Sequence, residues 1–533
     1  MLSRTVLALA AASLLAAPAA YGQSAPLAPV EQIALSRDAF STGLLDRNAG
    51  ALGSDLWRGS DAATLSLLLK MAPARPSSPA VGALMRRVLL SAGDAPQAAT
   101  PSLGGAKLKA LARAGFFEEA RQIESLASGA NSDPQSIEAM AIADILSNDT
   151  SSACGRARRV TEGLDNSFWI RLRVVCYAAS NELDAAELAL GILRENDRLG
   201  ETDEALLAPL ASGVKLTAPV APVDAVQYAA LKAMGVAIGG VSARADGGVV
   251  KAIAQDETAD WPTRLSAARR AVFFGIMDSA ELKTIYAAAP ANAVGRYRDI
   301  RAMSAPELLR DRAGLVAGEI AAAKDFESLY ALSALYADDI RDAEGAIFPS
   351  REAQIFALAR LAQGDAVGAE RWLSSAAAEI ARGVPDEQAM NFIDLVGVLG
   401  ELEPAGAQRV ATAANVSVAP PRVEPASAAA PSSDLAPVVA AAIEAAHRGS
   451  AGEAALAALA ASGAAENGDP IAEAMMAPAL RSAGLSDVAR RLAVEAALAA
   501  MYPGAPAPGE AMTTTPASAK DKLAPRLKPR RSA

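Results

Sequence analysis

The chain has 533 residues, of which 52% are hydrophobic and only 4% aromatic, and its formal net charge is −10. A chain of this length is too long for one globular core, so it predicts two or three domains or one long repeat array. The negative net charge argues against a protein devoted mainly to nucleic acid. About a quarter of the residues are Ala, the strongest helix former, which favours an all-α fold of closely packed helices.

The first 22 residues have the pattern of a secretory signal peptide. Arg4 supplies a positive charge, and the apolar stretch over residues 6–17 is too short to span a bilayer comfortably. Ala20 and Gly22 are small residues at the positions that a signal peptidase reads, so we expect cleavage before Gln23 and a periplasmic or secreted mature protein. The alternative is an uncleaved N-terminal anchor. After cleavage, no transmembrane segment is expected.

Breaks in the helical pattern divide the rest of the chain. Residues 23–214 and 224–414 predict two helical-repeat regions, and a Pro-containing stretch separates them. Residues 415–437 are rich in Pro, Ala and Ser and predict a disordered linker. Residues 438–501 predict a small C-terminal helical module. Residues 502–533 are rich in Pro, Gly and Thr and then basic, and they predict a disordered tail.

Basic residues concentrate in two places. From residue 510 onward the tail carries six Lys and Arg residues against two acids, so we expect it to contact anionic material. Five arginines also cluster around the only two cysteines. They form either an anion-binding patch or ordinary ion pairs with nearby acids. These arginines are Arg156, Arg158, Arg159, Arg171 and Arg173.

A phased spacing runs through the chain. Gly115, Asn148 and Asn181 lie 33 residues apart, and each has an Ala five residues later. A period of 33–36 residues predicts an α-solenoid of stacked antiparallel helical hairpins. Gly or Asn would adopt the positive φ that ends one helix, and the Ala would lie where the two helices cross. The pairs in this phase are Gly115/Ala120, Asn148/Ala153, Asn181/Ala186, Gly364/Ala369, Gly400/Ala405, Gly449/Ala454 and Gly484/Ala489.

One of these turns resembles a known repeat family. The segment Gly-Phe-Phe-Glu-Glu-Ala from Gly115 to Ala120 is similar to the turn of tetratricopeptide repeats, whose pattern there is Gly-x-Tyr/Phe-x-x-Ala. The turns that begin at Gly364 and Gly484 are looser versions. The resemblance implies an α-solenoid with a concave surface that binds a protein partner.

The two cysteines, Cys154 and Cys176, lie symmetrically about a turn signal at residues 163–166. In an antiparallel helical hairpin, residues equidistant from the turn face each other. In an oxidising compartment we therefore expect a disulfide that joins neighbouring repeats. The alternatives are two buried free thiols or a redox-active pair, although the Cys-x-x-Cys motif of such pairs is absent.

The sequence offers no catalytic constellation. One His and two Cys cannot supply the usual zinc ligand sets, so no metal and no cofactor is expected. His447 falls at a helix C-terminus, where a cation favours the helix dipole. The run from Ser212 to Lys215 matches the Ser-x-x-Lys motif of penicillin-binding proteins without its companion motifs. Glu327 and Ser328 form the Glu-Ser dipeptide of periplasmic lytic transglycosylases, without the segment that follows it in that family.

These features together predict a non-enzymatic protein. We expect an exported cell-envelope scaffold whose helical repeats hold one or more protein partners, and whose basic tail contacts an anionic surface. No nucleic-acid partner is expected. The alternative is an envelope protein that acts on peptidoglycan or another glycan through an unrecognised carboxylate site.

Overall fold

The computed structural model describes residues 38–127, 133–161, 163, 165–196, 198–383, 386–417, 436–465 and 470–501. The predicted signal peptide, the basic tail and residues 418–435 of the predicted linker lie outside the described residues.

The described part of the chain is all-helical, with 25 α-helices and two short 3-10 turns. Its one β feature is an isolated bridge between Val220 and Ile238. The first nine helices are α1 Ala62–Met71, α2 Pro79–Leu90, α3 Pro101–Ala114, α4 Phe117–Leu126, α5 Pro134–Leu146, α6 Thr150–Arg159, α7 Ser167–Ala179, α8 Leu183–Glu195 and α9 Glu201–Ala211.

The next twelve helices lie between residues 225 and 414. They are α10 Ala225–Met234, α11 Gly247–Gln255, α12 Trp261–Phe273, α13 Ser279–Ala288, α14 Tyr297–Ala302, α15 Leu309–Ala321, α16 Phe326–Leu335, α17 Ala337–Asp342, α18 Ser350–Ala362, α19 Ala366–Ile380, α20 Asp386–Leu402 and α21 Pro404–Ala414. The last four helices are α22 Ala436–His447, α23 Ala451–Ala465, α24 Pro470–Ser482 and α25 Ser486–Met501. None of the helices in the described ranges is both long and apolar enough to cross a membrane.

Helix ends fall close to the region boundaries that the sequence suggests. The gap between Ala211 and Ala225 holds the Pro-containing stretch, and α21 ends at Ala414 immediately before the Pro-, Ala- and Ser-rich segment. All described residues belong to one compact unit, so the structure does not separate the predicted regions into domains. That division stays a prediction.

Six of the seven phased Gly or Asn residues lie at turns between two helices that contact each other. Their φ angles are positive, between 61° and 110°. The Ala five residues later lies in the following helix and is 0% exposed in all six cases. The six turns are Gly115, Asn148, Asn181, Gly364, Gly449 and Gly484, and the six alanines are Ala120, Ala153, Ala186, Ala369, Ala454 and Ala489.

The seventh position, Gly400, was wrongly predicted as a turn. It lies inside α20, which continues to Leu402, and its φ angle is not positive. The turn follows at Glu403, where Pro404 begins α21. Pro is favoured at the first position of a helix, and here it sets the boundary that the Gly spacing placed three residues too early.

Two later helices cover one face of the first hairpins. Helix α10 packs against α5, α7 and α9, and α11 packs against α3 and α5. Arginines of the earlier helices hold the N-terminal residues of both. Arg171 donates to Asp224, the N-cap of α10, at 2.7 Å, and Arg113 makes two bonds of 3.0 and 3.2 Å to Asp246, the N-cap of α11. The sides of α3, α5 and α7 that contact α10 and α11 are therefore covered by the chain itself.

The last four helices return to the start of the chain. Helix α23 packs against α1 and α2, and α25 packs against α2, α18 and α20. The contact is close: a Cβ added at Gly452 would lie 2.6 Å from the Trp57 ring, and the Gly452 N–H donates to the Leu56 carbonyl at 2.9 Å. The first and last described helices thus share one hydrophobic core.

A buried ion pair lies at this junction. The Glu495 carboxylate on α25 accepts from Arg491 at 2.9 Å and from the backbone N–H of Ala80, in the first turn of α2, at 3.0 Å. Arg491 also donates to the Ala362 carbonyl at the end of α18, at 2.7 Å. A Cβ at Gly364 would collide with the Arg491 guanidinium, so a larger residue would require this side chain to move, and the positive φ of the turn independently favours Gly.

Lys107 anchors the segment that precedes α1. Its side chain is fully buried and donates to the carbonyls of Phe40 and Thr42 at 2.8 and 2.6 Å. Burial lowers the pKa of Lys107 to about 7, and the nearby charge of Asp38 opposes this shift. A neutral amine keeps two N–H donors, enough for both carbonyls.

Replacement of a turn-following Ala by Leu should destabilise the fold. We expect Ala369→Leu to lower the free energy of unfolding by about 1–3 kcal/mol, because the site is fully buried where α18 and α19 cross. Ala378→Leu, at an exposed position of the same helix, is the matched control and should change stability by less than about 0.5 kcal/mol. Urea unfolding followed by circular dichroism measures both; equal effects would show that the buried Ala is not required.

The stability of the protein should rise with pH above neutrality. Because the pKa of Lys107 is lower in the folded chain than in the unfolded chain, the folded chain loses this proton first as the pH rises. The free energy of unfolding should therefore increase by about 2 kcal/mol between pH 7 and 9. Urea titrations of the wild type and of Lys107→Met test this. A pH dependence that Lys107→Met leaves unchanged would contradict the assignment.

Candidate functional site

The cysteine pair lies between two consecutive hairpins. Cys154 on α6 and Cys176 on α7 are disulfide-bonded, with their Cα atoms 5.6 Å apart and both side chains buried. The turn between the two helices contains Gly163, which has a φ of 63°. The bond therefore links the second hairpin, α5–α6, to the third, α7–α8, as the symmetric spacing predicts.

Three of the five clustered arginines are held by the fold. Arg156 pairs with Asp144 at 2.7 Å, Arg171 pairs with Asp203 and Asp224, and Arg173 points to the carbonyls of Ala157 and Val160. The remaining two, Arg158 and Arg159, are exposed. Most of the cluster thus serves helix packing rather than forming an anion-binding patch.

The open cleft lies between the later helices. It has a volume of about 660 Å³ and is lined by α12, α13, the segment around Val294, and the facing ends of α15 and α16. The side chains that carry its chemistry are Arg269, Tyr286, Glu319, Lys324, Glu327 and Tyr336. A cleft of this size with a few convergent polar groups is the usual form of a ligand site.

Two tyrosines, Tyr286 and Tyr336, line the cleft, and the ring of Tyr297 contacts both of them. The Tyr286 and Tyr297 rings are 5.3 Å apart, and the Tyr297 and Tyr336 rings are 6.2 Å apart. Burial raises the pKa of Tyr286, and the hydrogen bond from Arg269 opposes this shift. Burial also raises the pKa of Tyr336, with the charge of Glu319 adding to the effect. Both phenols therefore stay protonated at neutral pH and can donate hydrogen bonds.

The Glu-Ser dipeptide lines this cleft, but local structure explains both of its residues. Ser328 completes a capping box with Asp325 at the start of α16. The Glu327 carboxylate pairs with Arg270 at 3.3 Å. Glu319 is the less firmly held carboxylate of the cleft, because its ion-pair partner Arg296 lies 4.0 Å away. The cleft can therefore bind a polar ligand through phenol, guanidinium and carboxylate groups.

The other sequence candidates lie apart from the cleft lining. His447 is the last residue of α22, as its helix-terminal role predicts. Ser212 follows the end of α9, and Lys215 lies in the exposed loop beyond it. Among the described residues, no group of three or more His, Cys, Asp and Glu is placed to hold a metal ion.

Sequence reasoning did not identify the cleft residues other than Glu327 and Ser328. Arg269, Tyr286, Glu319 and Tyr336 come from four separate helices or turns, so no local motif contains them. One signal was available in the composition: four of the eight tyrosines of the chain fall between residues 286 and 336.

Comparison of the chain with protein-family models, with curated proteins and with solved structures finds no match. Its function must therefore be inferred from its own residues.

Reduction of the disulfide should destabilise the protein without unfolding it. Closing a loop of 22 residues constrains the unfolded chain, so reductant should lower the free energy of unfolding by about 3 kcal/mol. Urea unfolding with and without dithiothreitol measures the loss, and thiol labelling before and after reduction counts the free cysteines. The double variant Cys154→Ala and Cys176→Ala should show no response to reductant. Two reactive thiols in the untreated protein would contradict the bond.

Proposed function

We propose that the protein is an exported cell-envelope scaffold, which holds a protein partner on a solenoid of tetratricopeptide-like helical hairpins. Export rests on the N-terminal signal pattern, and an oxidised cysteine pair fits an oxidising compartment such as the periplasm. The basic tail would add contact with an anionic surface of the envelope.

The observation that carries the proposal is the repeated hairpin. Six turns share a positive-φ residue and a fully buried Ala five positions later, and each joins two contacting helices. Arrays of such hairpins typically present extended surfaces on which other polypeptides bind. The tetratricopeptide resemblance at Gly115–Ala120 points to the same use.

The partner would bind outside the first hairpins. Because α10 and α11 pack on α3, α5 and α7, the sides of these helices that they contact are not open to a partner. The cleft between α12, α13, α15 and α16 is open and carries both charges and hydrogen-bond donors. Polar and aromatic groups of this kind are typical of surfaces that bind proteins specifically.

A pulldown from envelope extract tests the proposal. Mature protein from Gln23 onward should recover a defined partner, and Lys324→Glu, an exposed change at the cleft, should reduce the recovery several-fold. Lys215→Glu makes the same charge change on an exposed loop that does not line the cleft and should have no effect. Failure of the mature protein to recover any partner, with and without the tail, would contradict the scaffold.

A second candidate is a protein that acts on a glycan in the cleft. The observation in its favour is the weakly paired Glu319 beside two protonated tyrosines. Incubation of the protein with cell-wall sacculi separates the two functions. Release of soluble fragments that Glu319→Gln abolishes would replace the scaffold by an enzyme, and no release would favour the scaffold.

A further inference from the structure

We propose that a groove beside α19 binds an acidic peptide segment that carries a branched aliphatic side chain. The groove lies between the segment Glu344–Ile347 and α19, has a volume of about 680 Å³, and is called the α19 groove below. The inference rests on the proposed scaffold function and adds a second contact with its partner, separate from the cleft beside α12.

The apolar part of the groove is unusually exposed. Ile347 is 83% exposed, the highest value among the large hydrophobic residues that the structure describes, and Val367 is 57% exposed. Both line the same groove, with the Trp372 ring as part of its wall. Single exposed aliphatic residues are common, but two of them converging on one cavity indicate a docking site. They suit an aliphatic side chain of the partner.

Two exposed arginines pair with carboxylates of the groove: Arg371 lines the groove, and Arg409 pairs with the lining residue Glu370. Arg371 and Arg409 are 65% and 62% exposed, whereas their carboxylate partners Glu344 and Glu370 are only 18% and 20% exposed. Each guanidinium has five N–H donors, so these ion pairs leave donors that face solvent. These free N–H donors can bind carboxylates of a partner.

The groove also contains an unsatisfied donor. Trp372 is 2% exposed, and its indole Nε1 has no hydrogen-bond acceptor. Because this Nε1 atom is itself buried, a partner would bond to groups at the surface of the groove instead. The hydroxyls of Ser374 and Ser375, on exposed positions of the same helix, can bond to a peptide backbone.

The chain's own basic tail is not an acidic segment of the kind that the groove would bind. From residue 510 onward it carries six basic and two acidic residues, a charge of the same sign as the exposed arginines. An acidic segment of a separate protein complements both the arginines and the apolar residues. The predicted linker over residues 415–437 contains two acidic residues, Glu424 and Asp434, and the test below includes it as a competing occupant.

Fluorescence anisotropy with labelled hexapeptides tests the inference on the mature full chain. A peptide of alternating Glu and Ile should bind, and one of alternating Lys and Ile should not. Ile347→Asp and Arg371→Glu should each weaken binding at least tenfold, because one removes the apolar contact and the other reverses the charge. Val214→Asp, at a 58% exposed position that does not line the groove, should leave binding unchanged.

Three results would overturn the inference. The first is equal binding of the acidic peptide to the wild type and to Ile347→Asp, and the second is no binding at millimolar peptide. The third is tenfold tighter binding of the peptide when Glu424 and Asp434 are both changed to Lys, because this result would assign the groove to the linker. A pulldown with Ile347→Asp separates the two proposals. A partner that is recovered unchanged leaves the scaffold intact and rejects the groove, whereas a partner lost only with Ile347→Asp supports the groove.

Discussion

The structure depends on the buried ion pair between Arg491 and Glu495. Glu495 is fully buried, and burial raises its pKa against the opposing charge of Arg491. Such a group is tolerated only where every partner is in place, because an uncompensated buried charge costs several kcal/mol. Here the partners are the start of α2 and the end of α18, so the two groups require α25 to lie between the beginning and the later part of the chain.

The packing of α25 and of α10 and α11 determines which surfaces of the protein remain open. With α25 fixed on α2, α18 and α20, and with α10 and α11 fixed on α3, α5 and α7, most helices are packed on more than one side. The cleft beside α12 and the α19 groove are the two openings described above, and they lie in the later helices, α12–α16 and α19. The disulfide lies in the first half of the chain.

Local chemistry is what the sequence made predictable. Asn148 and Asn181 tolerate the positive φ of a turn, and Ala153 and Ala186 fit where two helices cross. The cysteines lie at equal distance from a turn. Each of these predictions depends only on residues close together in the sequence. The packing of α25 on α2 was not predictable, because it joins residues 415 positions apart. The prediction of a turn at Gly400 was wrong because spacing alone cannot distinguish a Gly at a turn from a Gly inside a helix. The cleft residues, scattered over four helices, carry no motif.

The most direct test of this account is whether the C-terminal helices stay bound when the chain is cut. A specific protease site placed within residues 418–435 allows the chain to be cleaved between α21 and α22. The account predicts that the two fragments co-elute on size exclusion as one species in physiological salt and separate only in denaturant, because they share one core. Fragments that separate in native buffer would show that α22–α25 form an independent module and would contradict the account.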